Sequence, residues 1–305
     1  MKRTTLIGLA GALGVTLVWT GWIVVTRYGV TNSLNAFDLA AMRYGIAGTL
    51  VLPWVIWNRA WEGLTLKITA VLAISSGFPY ALLSYSGFAY APAAHGGVFM
   101  NGALPAFTVV VAWLWVRERI FRTQALGLVA IAIGGALVGS SSLLSGTVGD
   151  TWIGDLFFLA ATTFLALYLV ATKAWNITAG QMLCGVTVVN AIIYLPIWFF
   201  FLPSNIATAP MNEILLQAFY QGLMPSFVGM YFMLLAVRHL GANQTSVFVA
   251  MVPVLAALLA VPTLGEIPTT LAWSGMGIVS LGALFALGIL RPKTLPATAI
   301  DSPSS

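Results

Sequence analysis

The chain is organised as apolar segments, each of about 20 residues, separated by short polar links; a helix of that length crosses the hydrocarbon core of a bilayer. Cutting the chain at the polar and Gly- or Pro-containing links predicts ten membrane-spanning helices, at residues 5–27, 36–57, 68–90, 95–116, 124–143, 151–173, 180–202, 213–236, 243–262 and 269–290. The pattern therefore predicts an all-α integral membrane protein.

The composition supports this class and removes several others. Hydrophobic residues make up 60% of the chain, charged residues 7%, and the mean hydropathy is +0.96, which the surface of a water-soluble domain would not tolerate. The formal net charge of +5 does not indicate nucleic-acid binding, because the basic residues lie in short links and form no stripe. Cys184 is the single cysteine, which excludes a disulfide within the chain and a cysteine-rich metal site. We predict no cofactor and no nucleic-acid partner.

The basic residues set the predicted orientation in the membrane. Placing the amino terminus in the cytoplasm puts all of the 13 lysines and arginines inside except Arg27 and Arg43. Ten spans then return the carboxyl terminus to the cytoplasm. The first apolar run continues to Val30 without a small-residue cleavage site, so we interpret it as a membrane helix. We expect a multi-pass protein of the bacterial inner membrane, with residues 291–305 forming a disordered, Pro- and Ser-rich cytoplasmic tail.

The second half of the chain repeats the first at a nearly constant spacing. Six positions recur without a gap, with Ala94, Pro105, Ala112, Glu118, Gly127 and Gly134 matching Ala242, Pro253, Ala260, Glu266, Gly275 and Gly282. The first spans align at a slightly shorter spacing, with Gly8, Trp22, Thr26 and Arg27 matching Gly154, Tyr168, Thr172 and Lys173. Five spans is an odd number, so the second unit must enter the membrane upside down, which predicts two inverted five-helix repeats at residues 1–143 and 151–290. Inverted repeats allow two mirror-related states, each open to one side, although a duplicated fold would also suit a channel or a structural subunit.

Aromatic, hydroxyl and amide side chains near the middle of the spans are the candidate substrate-binding residues. We predict this set to be Trp19, Trp22, Tyr80, Ser84, Asn101 and Tyr168. A mid-span amide such as Asn101 needs a hydrogen-bonding partner from a helix, water or ligand. The set indicates an apolar, sparsely polar cavity for a neutral or zwitterionic substrate with a hydrophobic body. The alternative explanation is chance, because 12% of the residues are aromatic and some belong to interfacial belts.

Two prolines lie at equivalent depths in the inverted halves. A proline inside a helix removes a backbone hydrogen bond and produces a kink or a flexible point. We predict Pro105 and Pro253 to be gating hinges, with a static kink that shapes the cavity as the alternative. The repeated glycines are interpreted as close-packing sites between helices.

Ionisable side chains within the hydrocarbon are the usual functional candidates in a membrane protein, and here they are scarce. Arg43, about 10 Å into the second span at 1.5 Å per residue, would either capture a substrate carboxylate or, as we favour, snorkel outward or pair with Asp38. Glu118 and Glu266 end their spans at opposite faces, which favours a structural or gate-linking role over proton coupling. His95 is interpreted as an interfacial histidine in preference to a titrating one.

Several short sequences give the chain a resemblance to a known family. They are Trp19-Thr20-Gly21 with Arg27, Asp38 to Arg43, Pro105, Glu118-Arg119, Gln124 with Gly127 and Gly134, and in the second half Pro253, Gly265-Glu266, Gly275 and Gly282. With ten spans in two inverted fives, the chain resembles the EamA family of the drug/metabolite transporter (DMT) superfamily, in outline like its YddG amino-acid exporters. The resemblance implies that spans one, three, four, six, eight and nine surround a central cavity, and that spans five and ten lie outside it. It also implies export of amino acids or other small metabolites. The first span lacks the glutamate of the small multidrug relatives, which argues against their carboxylate-exchange mechanism.

We therefore predict a transporter that exports small organic metabolites by alternating access about a central cavity. Amino acids, aromatic or hydrophobic ones among them, are the leading substrate class, and uniport or exchange is the expected mode. We expect the protein to act as a monomer whose partners are its small-molecule substrate and the lipid bilayer. The alternatives are a polyspecific exporter of drugs or toxic compounds and a non-transporting membrane subunit. An enzyme is not expected, because the two histidines, His95 and His239, lie at opposite faces and cannot form one catalytic centre.

Overall fold

A computed structural model of the chain describes residues 3–144 and 149–288. Within these ranges the regular structure is entirely helical. Nine helices or helix pairs are long and apolar enough to cross a membrane, and a shorter apolar helix, Thr270–Ala286, completes the predicted ten. The predicted all-α membrane fold is confirmed. Residues 291–305, predicted to be a disordered tail, lie outside the described residues.

The ten spans are numbered here in chain order, with the two parts of an interrupted span marked a and b. Four are continuous or nearly so: α1 (Arg3–Thr31), α2 (Ala36–Trp57), α5 (Arg122–Leu144) and α6 (Thr151–Ala174). A fifth, α10, is Thr270–Ala286. The remaining spans are interrupted: α3a (Leu66–Ser75) and α3b (Phe78–Tyr90), α4a (Ala93–Gly96 with the π-helical turn Gly97–Gly102) and α4b (Leu104–Val116), α7a (Ala179–Leu183 with the π-helical turn Cys184–Val188) and α7b (Val189–Phe201), α8a (Met211–Leu223 with the π-helical turn Met224–Gly229) and α8b (Met230–Leu240), and α9a (Ala242–Val249) and α9b (Val252–Leu264).

Prolines lie at the interruptions of four of the five interrupted spans. Pro105 and Pro253 each lie in the first turn of a new helical segment, α4b and α9b, where a missing N–H leaves no hydrogen bond unmade. Pro79 begins α3b in the same way, and Pro225 lies in the π-helical turn of α8. The sequence led us to expect a kink in a continuous helix at Pro105 and at Pro253. The structure instead has a break in the helix at each of these prolines, and the two breaks lie at equivalent depths in the two repeats. The hinge role of Pro105 and Pro253 stays a prediction.

Close glycine contacts define how the helices run against one another. The start of α1 packs antiparallel to α8b, with a Cβ on Gly8 meeting Leu240 Cγ at 2.7 Å. The repeat counterpart, Gly154 at the start of α6, packs on α3b in the same way, 2.5 Å from Ala91 Cβ. The inverted repeat is thus visible as the same helix pairing at opposite ends of the molecule.

The α5–α10 pair is held by the repeated glycines. A Cβ on Gly134 would lie 2.6 Å from the carbonyl oxygen of Gly275, and one on Gly127 would lie 2.7 Å from that of Gly282. The two backbones are therefore in direct contact, as the sequence analysis expected for close-packing sites.

Both ends of the described chain lie at one face of the helical bundle. The end of α6 pairs with the end of α4b, which leads into the start of α5, and α10 ends beside that start. The opposite end of α6 lies beside the ends of α3b and α1. We call the face that holds the start of α1 and the end of α10 the terminal face, and the opposite one the distal face.

Candidate substrate pathway and binding site

The distal half of the bundle is closed by a tightly packed aromatic and aliphatic core. Here α1 packs on α3b, and α9b packs on α4a. Phe88 meets Trp22 edge to face with ring centroids 6.0 Å apart, and Phe158 at 4.7 Å. Trp22 is also tilted against Tyr85 at 6.1 Å. Buried side chains of α1, α3b and α6 therefore leave no passage at this level.

One ion pair joins four spans at the distal face. Arg27 Nε of α1 lies 2.7 Å from Glu266 Oε1 at the end of α9b, and both side chains are less than one-fifth exposed. The other carboxylate oxygen accepts from the backbone N–H of Ala93, at the start of α4a, at 2.7 Å. Arg27 Nη1 donates to the backbone carbonyl of Phe88 on α3b. We call this group the distal latch; charge-assisted bonds of this kind are stronger than neutral ones.

A second side-chain contact lies beside the latch. His95 Nδ1 is 2.7 Å from Asp155 Oδ1, which ties α4a to the start of α6. His95 is 3% exposed. The interpretation of His95 as an interfacial histidine is therefore wrong, because the bundle encloses it with a carboxylate partner. Together with Glu266 and Ala260 it lines a cavity of about 180 Å³ beneath the distal face.

The terminal half contains the repeat counterparts of the latch residues, but its helices are not packed together as they are in the distal half. Lys173 and Glu118, the repeat counterparts of Arg27 and Glu266, form a pair at 2.8 Å between α6 and α4b. Their side chains are 77% and 53% exposed and form no further hydrogen bond to the described residues. The counterpart of the Ala93 amide is Gly241, whose N–H donates to the Val237 carbonyl at 3.0 Å and not to Glu118.

The helices around the Lys173–Glu118 pair are less closely packed than the helices around the distal latch. Packing of α6 on α8b and of α4b on α9a would match the distal contacts, but neither pair of segments packs to a comparable extent in the described chain. In α9a only Thr245 is buried, whereas every residue of its counterpart α4a from Ala93 to Met100 is buried. The two repeats thus adopt different packing, with the distal side closed and the terminal side open.

The structure brings part of the predicted binding set together. Trp22 and Tyr80 are buried side by side with the α3b core, and Ser84 is fully buried with its hydroxyl bonded to the Tyr80 carbonyl at 2.8 Å. Trp19 and Asn101 are half-buried, the latter within the π-helical turn of α4a. Tyr168 is half-buried towards the terminal end of α6, in the opposite half from Trp22. The substrate-binding role of the set stays a prediction.

A buried glutamine pair was missing from the predicted set. Gln217 and Gln221 lie one turn apart on α8a and are both fully buried. Two amides at i and i+4 within an apolar span are the sequence signal that could have found them, since such groups need partners in a membrane.

The hydrogen bonds around the glutamines fix the direction of each donor. Gln217 Nε2 donates to the Val25 carbonyl at 2.6 Å, so its Oε1 is the acceptor for Gln221 Nε2 at 3.0 Å. Gln221 Oε1 must then accept, and it does so from Trp22 Nε1 at 2.8 Å and from the Tyr85 hydroxyl at 3.0 Å. The phenol of Tyr85 therefore donates to Gln221, which leaves its oxygen lone pairs for another donor.

The nearest cation to these phenols is Arg43 of α2. Its guanidinium makes a side-chain contact with the Tyr85 hydroxyl, interacts with the phenols of Tyr80 and Tyr44, and lies over the Tyr44 ring at 5.8 Å. Arg43 is half-buried and has no carboxylate within 4 Å among the described residues. The expectation that Arg43 pairs with Asp38 is wrong. Asp38 is fully buried and accepts a hydrogen bond from Trp198 Nε1 at 3.1 Å. The same part of the chain holds no group of three histidine, cysteine or acidic residues that could bind a metal.

Comparison with known proteins agrees with this architecture. The model of the EamA-like transporter family matches residues 6–140 and again residues 152–288. The chain therefore belongs to the EamA-like transporter family. Both halves match the same model, as expected for a duplicated unit.

Relatives of similar length support the family assignment. The chain is 26% identical to the "Uncharacterized transporter YyaM" of Bacillus subtilis (strain 168), over 83% of this chain and 85% of that protein. It is 26% identical to a "Probable terminal-alkyne amino-acid exporter" of Streptantibioticus cattleyicolor, over 86% and 84%. A chain in a solved crystal structure matches with a TM-score of 0.61 over 93% of this chain and 96% of that one, and at 19% identity this likeness shows the fold alone.

Proposed function

We propose that this transporter exports small organic metabolites, with amino acids as the leading class, by alternating access across a bacterial inner membrane. The terminal face would be cytoplasmic, so that both termini lie inside. The structure then corresponds to the state that loads substrate from the cytoplasm. We further propose that a single chain suffices for transport.

The unequal packing of the two repeats is the observation that carries the proposal. The helix contacts of the distal side are not made to a comparable extent at the terminal side of the described chain, although the repeats are related by inversion. Exchange of packing between the repeats would close the terminal side and open the distal one without any new structural element. Neither a channel nor a static subunit requires the two repeats to exchange their packing. The unequal packing therefore favours a carrier.

The substrate class is supported by a named relative and by the site. The Streptantibioticus protein carries the name "Probable terminal-alkyne amino-acid exporter". Trp22 and Tyr80 lie in a largely apolar core, which suits an amphipathic solute with a hydrophobic body. Polyspecific export of drugs is the second candidate, because an apolar cavity would also accept lipophilic compounds.

Counterflow in proteoliposomes tests the proposal. Purified protein is reconstituted into vesicles preloaded with unlabelled phenylalanine or leucine, and entry of the labelled amino acid is followed. We expect internal amino acid to accelerate entry, with no requirement for a pH gradient, as for uniport or exchange. Protein-free vesicles are the control. Absence of flux for a panel of amino acids, together with saturable flux of lipophilic cations, would favour the drug exporter.

A further inference from the structure

We propose that Arg43 is the anchor for a substrate carboxylate, and that the site recognises this carboxylate without a matching anion for the substrate ammonium. The inference deepens the proposed function by naming the substrate class as monocarboxylates with an apolar body. It depends on that function only for the statement that the bound molecule is transported.

The first argument is that the Arg43 charge has no counterion in the described chain. Three acids of the distal half, Asp38, Glu266 and Asp155, are engaged elsewhere. Asp38 accepts from the Trp198 indole and, through Oδ2, from the Asn205 N–H at 2.9 Å. Glu266 is held by Arg27, and Asp155 by His95. A cation this deep in a membrane protein faces a bundle interior or cavity and pairs with an anion or polar group.

The second argument concerns the phenols around the guanidinium. Because Tyr85 donates its proton to Gln221, its oxygen keeps its lone pairs for the neighbouring Arg43 guanidinium and can help to orient it. Tyr44 lies beneath the guanidinium as an aromatic face. Three phenols supply lone pairs but carry no negative charge, so they position Arg43 and leave its charge uncompensated. The planar fork of an arginine matches a carboxylate bidentately.

The third argument is the position of Arg43 on the proposed pathway. The face of α2 that carries Arg43 also carries Ile46, which packs against Gly222, next to Gln221 on α8a. Arg43 therefore lies towards α8a and α3b, immediately below the closed distal core. Phe78 and Leu82, both half-buried, provide an apolar wall on α3b. A solute entering from the open terminal side would meet this cation at the end of its path.

The substrate ammonium has no equivalent partner. No free carboxylate faces Arg43, so an amine in the site would meet only neutral acceptors and aromatic rings. The inference therefore distinguishes between the two charged groups of an amino acid. A carboxylic acid without the amine should bind about as well as the amino acid, and an amide of the amino acid should bind far more weakly.

Ligand binding to the purified protein in detergent tests this inference, by isothermal titration calorimetry with three probes. The probes are phenylalanine, 3-phenylpropanoate and phenylalaninamide. We expect the first two to bind with similar affinity and the amide at least about tenfold more weakly, since a buried cation loses its anionic partner. Equal affinity for phenylalanine and phenylalaninamide, or failure of 3-phenylpropanoate to bind, would overturn the inference without any variant.

Substitutions then assign the effect to Arg43. Arg43→Gln should lower the affinity for phenylalanine and 3-phenylpropanoate at least about tenfold and leave phenylalaninamide unaffected. Arg59→Gln is the matched control, because Arg59 is 73% exposed and pairs only with Glu62. Arg43→Lys keeps the charge and serves as a second variant should the first misfold. Unchanged carboxylate binding in a folded Arg43→Gln variant would overturn the inference, and so would loss of carboxylate binding in Arg59→Gln to the same extent as in the Arg43 variants.

The outcomes separate the site from the function. Carboxylate binding that depends on Arg43, without counterflow in vesicles, would refute transport and leave the binding site in place. Counterflow of amino acids that Arg43→Gln does not alter would refute the site and leave transport in place.

Discussion

Gln221 shows how one side chain can hold several helices inside a membrane. Its amide accepts from Trp22 and Tyr85 and donates to Thr26 and Gln217, so α1, α3b and α8a converge on a single residue. All four hydrogen-bonding positions of the amide are used. In a medium without water, loss of this residue strands several buried groups together.

Replacement of Gln221 by leucine should therefore destabilise the protein by about 2–3 kcal/mol, because buried donors and an acceptor lose their partners. The measurement is thermal unfolding in detergent, with tryptophan fluorescence reporting the release of Trp22. Gln244→Leu is the control, since Gln244 is exposed on α9a. Equal melting temperatures for the two variants would contradict the proposed role of Gln221.

Single residues were predicted unevenly from the sequence. Trp22, Tyr80 and Ser84 could be selected because aromatic and hydroxyl groups at mid-span are conspicuous. The partners of Arg43 could not be predicted in this way. Asp38 lies on the same helix, but it is available to Arg43 only if no residue of another helix binds its carboxylate. Trp198, far along the chain, takes it. The spacing of residues along one helix does not show which residues far along the chain compete for the same carboxylate.

Among the elements, the α5–α10 pair is the closest helix contact in the glycine pattern described above. It lies outside the helices that close the distal side, and its backbones touch through Gly134 and Gly275. A rigid pair of this kind suits a fixed support on which the other helices move.

Gly134→Ala should destabilise the protein by about 1–3 kcal/mol, because the added Cβ meets a backbone oxygen, which cannot move aside cheaply. Gly277→Ala is the matched control on α10, where a Cβ would have open space. Thermal unfolding of the two variants in the same detergent distinguishes them. A Gly134→Ala variant as stable as the Gly277→Ala variant would show that the helices can separate at no cost.

The sequence was reliable about which segments are helical and less so about their interruptions. Ten spans follow from apolar length alone, since the bilayer thickness fixes it. Pro105 and Pro253 locate two of the interruptions correctly, because proline cannot donate to the preceding turn. Whether a helix bends or ends at a proline depends on the neighbouring helices. The π-helical turn of α7 contains no proline, so the sequence gives no sign of it.

For the whole molecule, the distal latch is the contact that must be broken if the transporter works by the proposed alternating access. It concentrates links from α1, α3b, α4a and α9b on two side chains. Weakening it should raise the population of states that are open on the distal side.

Glu266→Gln should increase distal accessibility at least about fivefold, the factor that corresponds to about 1 kcal/mol. The reporter is a cysteine at Ala260, which is 1% exposed beneath the latch, in a Cys184→Ser background. Its reaction with a membrane-impermeant maleimide is followed from the distal side. Glu118→Gln, the repeat counterpart, is the control and should give no increase. A similar rate in both variants would argue against the latch.

The latch and its counterpart are built from different cations, Arg27 on one side and Lys173 on the other. A guanidinium offers five donors in a fixed plane and can serve a carboxylate and a backbone carbonyl at once, whereas an ammonium is a compact, strongly hydrated charge. In the proposed alternating-access cycle the two conformations are therefore not isoenergetic even without solute. The population should favour the state with the distal side closed, so in the proposed orientation most molecules at rest are ready to bind substrate from the cytoplasm.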